Sequence, residues 1–558
     1  MAGSSLQSSK DETLSSPHHP SKPIITSPSR WNTLEFYFYY VCFIVIVPYM
    51  FYVAHSKPAR IIKSTLQGCQ TDGFLDEKCD AQYAQFRDNL PKLIFLSLVF
   101  IGFNRSIASF TSGADGRLRA LSLTSVVIIA ALHGTSALKI LIIVSISYSI
   151  GRLMGGSKLN PVLSWIFNLG VLFLNEAKDG YSFAALHSSL GCLDDYEGVL
   201  PRWHILFNFV MLRLVSFNMD YYWQIKKTRA EYKVGRGGGI GAVYFTGKVS
   251  NSTLLDKDRI DIPCKPSDYN YTYFLAYVLY TPLYLCGPIL TYNDFISQMY
   301  VPSPHVTRRF VITYALRLVG VILLMEWTLH YIYVVAISKE KAWDGDTPLE
   351  LSMIGYFNLV IIWMKLLIPW RFFRLWALAD GIWTEENMVR CMSNNFSAQR
   401  FWKSWHRTFN RWLIRYVYVP LGGAKYFMFN MWIVFTFVAL WHDIELKLLA
   451  WGWLICLFLL PEIIASQLFS FKKYGNKPYY RFVCGVGAVG NILMMMIANL
   501  VGFCVGLDGM KDMLTQIFGT VNGLMFLVSV SCTLFVGVQV MFELRESEKR
   551  RGDRRYLM

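Results

Sequence analysis

Long apolar runs alternate with shorter polar segments over nearly the whole chain, at a spacing no soluble domain requires. A helix that crosses a bilayer needs about 20 mostly apolar residues. The first run, from Phe36 to Val53, meets that condition. Further spans are expected near 91–109, 121–150, 161–175, 203–223, 271–293, 308–337, 351–380, 427–441, 446–468, 483–506 and 517–542. The run 121–150 reads as two short helices meeting at His133-Gly134. The pattern predicts an all-α polytopic membrane protein with roughly ten to twelve membrane helices, some of them re-entrant. No repeat of 20–50 residues divides the chain into equivalent units. Ahead of the first span, residues 1–30 are rich in Ser, Pro and Lys and are expected to be a disordered tail. They carry no short apolar core with a cleavage site, so the first span is expected to remain as a signal anchor. The expected organisation is a tail over 1–30, a membrane domain over 31–542 and a basic tail over 543–558.

Two polar stretches interrupt the spans. The first, 224–270, has a Gly-rich turn at 235–241 and reads as a flexible loop. The second, 381–426, combines aromatic and basic residues. Within it, Trp402, Trp405, Phe409 and Trp412 recur at three- and four-residue spacing, the signature of one helical face. Lys403, Arg407, Arg411 and Arg415 form a basic stripe beside them, and Pro420 with Gly422-Gly423 ends the helix. Such a helix suits the headgroup layer of a bilayer, with His406 a passenger on it. A second polar locus, Trp441-His442-Asp443-Ile444-Glu445-Leu446-Lys447, lies between two apolar runs. One reading is a polar turn between spans. The other is a set of ionisable groups facing an internal cavity, because charge at membrane depth costs about 2.5–3.5 kcal/mol and tends to mark function or pairing.

Composition sharpens this picture. Of 558 residues, 54% are hydrophobic and 16% charged, against roughly 25% charged in soluble chains. The 32 Tyr, 39 Phe and 17 Trp suit the two polar–apolar boundaries of a membrane. The net charge of +16 sits largely between apolar runs and in Arg545, Lys549, Arg550, Arg551, Arg554 and Arg555. That placement fits anionic lipid and a cytosolic C-terminus rather than nucleic acid. The 11 cysteines form no CxxC pair and no zinc pattern, and Cys69 with Cys79 share one polar loop where a disulfide is conceivable. Glu326 and His330, one helical turn apart, read as a structural pair rather than a tunnel wall, and His133 and His204 as satisfied histidines. Asn251, Asn270 and Asn395 each begin an N-x-S/T sequon. There is no metal spacing, GxSxG elbow, P-loop or dinucleotide fingerprint, so no metal or cofactor is expected.

Taken together, the segment W-H-R-x-x-x-R-W-x-x-x-Y-x-Y-x-P-L-G-G from Trp405 and the later Trp441-His442 resemble the membrane-bound O-acyltransferase (MBOAT) family. Tyr280-Thr281-Pro282 through Cys286-Gly287-Pro288-Ile289 and Phe217-Asn218-Met219-Asp220 resemble two earlier elements of that family, so the pattern covers most of 200–510. Longer segments such as AISKEKAWDGDTPLELSMIGYFNL, KLLIPWRFFRLWALADGI and WHDIELKLLAWGWL extend the similarity to its fungal glycerol-uptake and glycosylphosphatidylinositol (GPI)-remodelling branch, a relative of Hedgehog acyltransferase.

The resemblance implies an MBOAT fold around a tunnel, and direct transfer of a long-chain acyl group from acyl-CoA to a hydroxyl. His442 is then the catalytic base. The position of His406 varies among Asn, Asp and His in the family, and its role stays open between second base and positioning group. Trp405, Arg407, Asn410, Arg411, Arg415 and Trp441 are expected to contact substrate, the arginines at the phosphates of coenzyme A. The implied acceptor is a lyso-GPI or lysophosphatidylinositol-type lipid, acylated at sn-2. The implied location is the endoplasmic reticulum membrane, with the plasma membrane as a second site. Three rivals remain: a proton-coupled glycerol carrier, an acyltransferase acting on a protein, and a non-catalytic scaffold. Carriers often show internal repeats and paired broken helices, which the sequence lacks.

Overall fold

The computed structural model describes residues 27–56, 80–111, 113–234, 256–340, 343 and 345–553. Residues 1–26 of the expected tail, Cys69 and Cys79, the turn at 235–241, the sequon at Asn251, and Arg554 and Arg555 lie outside the described residues. Eighteen principal helices follow one another. They begin with α1 (Leu34–Ser56), α2 (Ala81–Phe110), α3 (Ala114–His133), α4 (Ser136–Met154), α5 (Leu159–Ala177) and α6 (Trp203–Val234). Next come α7 (Tyr271–Val278), α8 (Thr281–Cys286), α9 (Tyr292–Tyr300), α10 (Arg308–Tyr331) and α11 (Pro348–Ala379). The last are α12 (Ala398–Ser404), α13 (Arg407–Leu413), α14 (Phe427–His442), α15 (Leu446–Leu468), α16 (Tyr480–Phe503), α17 (Gly506–Gly519) and α18 (Val521–Arg550). Among the described residues, ten helices are long and apolar enough to cross a membrane.

The break at His133-Gly134 occurs where the sequence places it. Gly134 takes φ 56, and a Cβ there would lie 2.2 Å from the Tyr196 carbonyl, so only glycine fits. His133 is satisfied on both sides, by the Leu200 carbonyl at 2.8 Å and the Tyr284 hydroxyl at 2.8 Å. His204 faces Asp179 at 3.2 Å.

Two of the expected spans, 161–175 and 203–223, form α5 and α6 but are not among the ten candidates. In α6, Phe207, Val210, Met211, Leu212, Leu214 and Val215 are at most barely exposed. Its Arg213, Asn218 and Asp220 are buried as well, which places protein rather than lipid around it. A polar seam ties α4, α5 and α6 together. Asn218 donates to the Ser147 carbonyl at 3.1 Å and to Ser164 Oγ at 3.0 Å, and Asn168 reaches Ser147 Oγ at 3.4 Å. Such bonds are each worth about 0.6 kcal/mol between membrane helices.

The expected span 271–293 is instead three short pieces, α7, α8 and α9. Pro282 opens α8 and Gly287 leaves the helical region. The interrupted backbone is tolerated because it is enclosed in protein. Arg213 of α6 donates to the Val278 carbonyl at 2.7 Å, where α7 ends, and the Tyr277 hydroxyl donates to the Leu290 carbonyl at 2.7 Å. The polar stretch 224–270 also differs from a plain loop, since α6 continues to Val234 and a short helix covers Asp256–Asp261.

Glu326 joins α10 to α2. It accepts from the Tyr83 hydroxyl and pairs with Arg87 at 3.7 Å, both on α2. Through residue 553 the basic C-terminal segment is not a free tail. The helix α18 runs through it to Arg550, and Arg550, Lys549 and Arg545 pair with Glu543, Glu546 and Glu548. Ser27, within the expected tail, donates to Glu546 at 3.2 Å. Asn395 is buried and donates to the Cys391 carbonyl at 2.9 Å, so its sequon is closed to a glycan.

Candidate active site

α14 ends at His442 because Asp443 turns to extended backbone, φ −173 and ψ 153, while its N–H still closes on the Ala439 carbonyl at 3.2 Å. The His442 ring meets Trp441 and Trp451 with centroids 5.0 and 6.3 Å apart. It is exposed by area, and the space it faces is a large cavity between the helices.

His406 arises from a different local structure. The Trp405 N–H closes α12 on the Phe401 carbonyl at 2.8 Å. His406 then takes φ 43 and ψ 47, a left-handed conformation that only Asp179 approaches among the described non-glycine residues. That conformation costs roughly 1–2 kcal/mol for a residue with a Cβ. α13 starts immediately after it. The imidazole stacks on Trp370 at 4.4 Å and 25°, with Phe409 at 5.0 Å on another side. The residue is 6% exposed, and its Nε2 has no hydrogen-bond partner among the described residues.

Both histidines line one cavity of about 1440 Å³. Sites for ordinary small ligands run to about 300–1000 Å³. Helices α1, α11 to α18 contribute its walls, and its lining follows α11 from Leu349 to Trp370 and α18 from Phe526 to Leu544. At 1.5 Å per residue these stretches are about 32 and 27 Å long. A bilayer's hydrocarbon core is about 30 Å thick. The lining therefore runs along these helices for lengths comparable to the bilayer core, with mostly apolar walls suited to acyl chains and two imidazoles on them.

Trp405 and Asn410 also line the cavity. Trp441 does not; it is 5% exposed and packs between Phe409 and His442, its Nε1 donating to the Asn208 carbonyl at 3.1 Å. The single amphipathic surface helix expected over 401–419 is not formed. It breaks at Trp405-His406, and residues Ile414–Tyr418 widen into a π-helical turn. Phe409 and Trp412 are buried in the core rather than laid on a bilayer surface. The basic stripe is dispersed accordingly. Arg407 pairs with Glu385 at 2.7 Å, and Arg411 pairs with the same carboxylate. Arg415 pairs with Asp220 and Asp261, both at 3.0 Å. Lys403 is exposed and lines the cavity.

Sequence reasoning passed over three polar groups. Lys365, on the cavity wall, pairs with Asp80 at 2.8 Å. Glu462 accepts from the Ala398 N–H at 2.8 Å and from Ser397, which starts α12. Asn387 clamps the turn at His406. The first two were detectable as charges inside apolar runs. Asn387 carried no such signal.

Residues 182–507 match the MBOAT, membrane-bound O-acyltransferase family. The chain belongs to that family. It is 44% identical over 541 residues to membrane-bound O-acyltransferase GUP1 of Saccharomyces cerevisiae, covering 94% of each chain. It is 39% identical to membrane-bound O-acyltransferase gup1 of Schizosaccharomyces pombe over 564 residues, 98% of this chain and 95% of the other. A more distant relative is the mouse protein-cysteine N-palmitoyltransferase HHAT, 26% identical over 314 residues, 53% of this chain and 61% of the other. This MBOAT is thus a multi-pass membrane O-acyltransferase. The matched region contains His406 and His442, whereas α1 and α18 lie outside it and still wall the cavity.

Proposed function

We propose that this O-acyltransferase moves a long-chain fatty acyl group from acyl-CoA to the sn-2 hydroxyl of a lysophosphatidylinositol-type lipid in GPI anchors, in the endoplasmic reticulum membrane. The observation that carries this reading is the single apolar cavity, about 1440 Å³, that both histidines line. Its length suits a donor arriving from one membrane face and a lipid acceptor from the other. His442 accepts the proton of the acceptor hydroxyl as its oxygen attacks the thioester carbonyl. The tetrahedral intermediate collapses with cleavage of the C–S bond, and the leaving thiolate recovers the proton from the imidazolium. The charge that forms on His442 during transfer sits at the C-terminal end of α14, where the helix dipole favours a cation. His406 Nε2, as an N–H, polarises the thioester carbonyl or orients the acceptor. No covalent acyl-enzyme is needed.

Lys403 and Arg411 supply the charge that meets the phosphates of coenzyme A, since Lys403 is exposed at the cavity and the Arg411 side chain is 41% exposed beside Glu385. Replacing both with Ala is expected to raise the KM for acyl-CoA severalfold at low salt and to flatten its salt dependence. An unchanged KM at low and high salt refutes that assignment.

The whole reading is tested with purified protein in liposomes, given labelled long-chain acyl-CoA and one of three acceptors: lysophosphatidylinositol, glycerol, or a peptide with an N-terminal cysteine. Label is expected in an alkali-labile ester on the lipid. Label on the peptide instead, or glycerol uptake without acyl transfer, overturns it.

A further inference from the structure

The left-handed turn at His406 is held from outside the cavity by the segment 383–389, in which one side chain reaches past it. The segment 383–389 runs antiparallel to the end of α12, with a bridge between Met388 and Trp405 and a bond from the Val389 N–H to the Ser404 carbonyl at 3.3 Å. At its centre, the Asn387 carbonyl accepts the Arg407 N–H at 3.0 Å. The Asn387 side-chain oxygen accepts both the Thr408 N–H at 3.3 Å and the Thr408 hydroxyl at 2.6 Å. Thr408 Oγ1 accepts in turn from the Ile289 N–H at 2.9 Å, which ties the Cys286-Gly287-Pro288-Ile289 element to the same turn. The segment is itself anchored. The Trp383 N–H donates to Gln298 at 2.7 Å, Glu385 holds Arg407, and Glu386 holds Arg374 at 3.2 Å.

Asn387 is 1% exposed and is not among the cavity-lining residues, so it touches no substrate there. Its side-chain oxygen takes both donors of Thr408, two residues after His406, where the backbone must leave the left-handed region and start α13, and its backbone carbonyl separately takes the Arg407 N–H. Without the two side-chain bonds Thr408 loses its tie to the segment, and the remaining backbone contacts leave His406 freer to relax toward an ordinary helical conformation, which would carry α12 on into α13 and swing the imidazole off Trp370. We propose that Asn387, acting through Thr408, is the positioning residue that fixes the His406 imidazole in the cavity wall. The proposal rests on the reading of His406 as part of the acyl-transfer centre. A misplacement of about 1 Å costs on the order of 10²-fold in rate.

The test is a double-mutant cycle in the full-length, reconstituted protein. Asn387→Ala is expected to lower kcat by about 10²-fold while leaving the KM for acyl-CoA close to the parent value. In a His406→Ala background the same substitution is expected to add no further loss. Thr408→Val, which keeps shape and removes the hydroxyl, should reproduce the loss, and Thr408→Ser should restore most of the rate. If Asn387→Ala does not fold, Thr408→Val carries the same cycle. Parental kcat in Asn387→Ala or in Thr408→Val overturns the proposal, as does an equal fractional loss in both backgrounds. Full turnover in His406→Ala alone removes the acyl-transfer role of His406, and the clamp's function with it.

Discussion

His442→Ala is expected to abolish acyl transfer while the protein still inserts, accumulates and melts as the parent does. The imidazole projects into the cavity and is held by ring contacts with Trp441 and Trp451, not by a network whose loss would unfold the site. General-base assistance is typically worth about 10²–10⁴-fold. The residual rate should therefore fall by that factor, with the KM for acyl-CoA nearly constant, because a base acts in the transition state and not in donor binding. The measurement is single-turnover transfer from labelled acyl-CoA in proteoliposomes, beside thermal unfolding in detergent. Wild-type turnover in a purified His442→Ala protein removes the assignment. Loss of folded protein in place of activity assigns His442 to structure.

Asp220→Ala should produce the largest loss of stability from a single change, with no direct effect on chemistry. The Asp220 side chain is fully buried, accepting from Arg415 at 3.0 Å, the Tyr416 hydroxyl at 3.1 Å and the Asn293 N–H at 3.4 Å. Breaking a buried pair by deleting one partner typically costs about 3–5 kcal/mol, because the remaining charge stays out of water. Among the described residues Arg415 then keeps one carboxylate, Asp261, whose side chain is half exposed, and the ring faces of Trp223 and Tyr416. Asp220→Asn, which retains an acceptor, should cost less. The check is the melting temperature of the detergent-solubilised protein, which should drop for Asp220→Ala and for Arg415→Ala alike. An unchanged melting temperature in both, with a raised KM for acyl-CoA in Arg415→Ala, would return Arg415 to the substrate.

That second expectation reverses what the spacing of Lys403, Arg407, Arg411 and Arg415 suggests. Regular four-residue spacing describes a stripe only if one helix carries all four residues. Here the helix stops at Ser404 and restarts at Arg407, and it widens over Ile414–Tyr418, so Arg407 and Arg411 share Glu385 while Arg415 turns to Asp220 and Asp261. Asp220 and Asp261 lie 195 and 154 positions from Arg415, and no local pattern points to them. The same limit hid Asn387, a polar residue in a polar stretch, whose role exists only because 387 and 408 are brought together.

The membrane class of the protein, most of its long helices, the break at His133-Gly134 and the two histidine loci were all legible in the order of residues. Each follows from short-range physics: apolar length against bilayer thickness, a glycine where a side chain has no room, and charge where lipid forbids it. Tertiary structure alone decided which apolar helices face protein, as α6 does. It alone turned 271–293 into three enclosed pieces, set His406 in a left-handed turn and joined it with His442 on one cavity. Those outcomes depend on contacts between residues tens or hundreds of positions apart, and such contacts leave no period in a sequence.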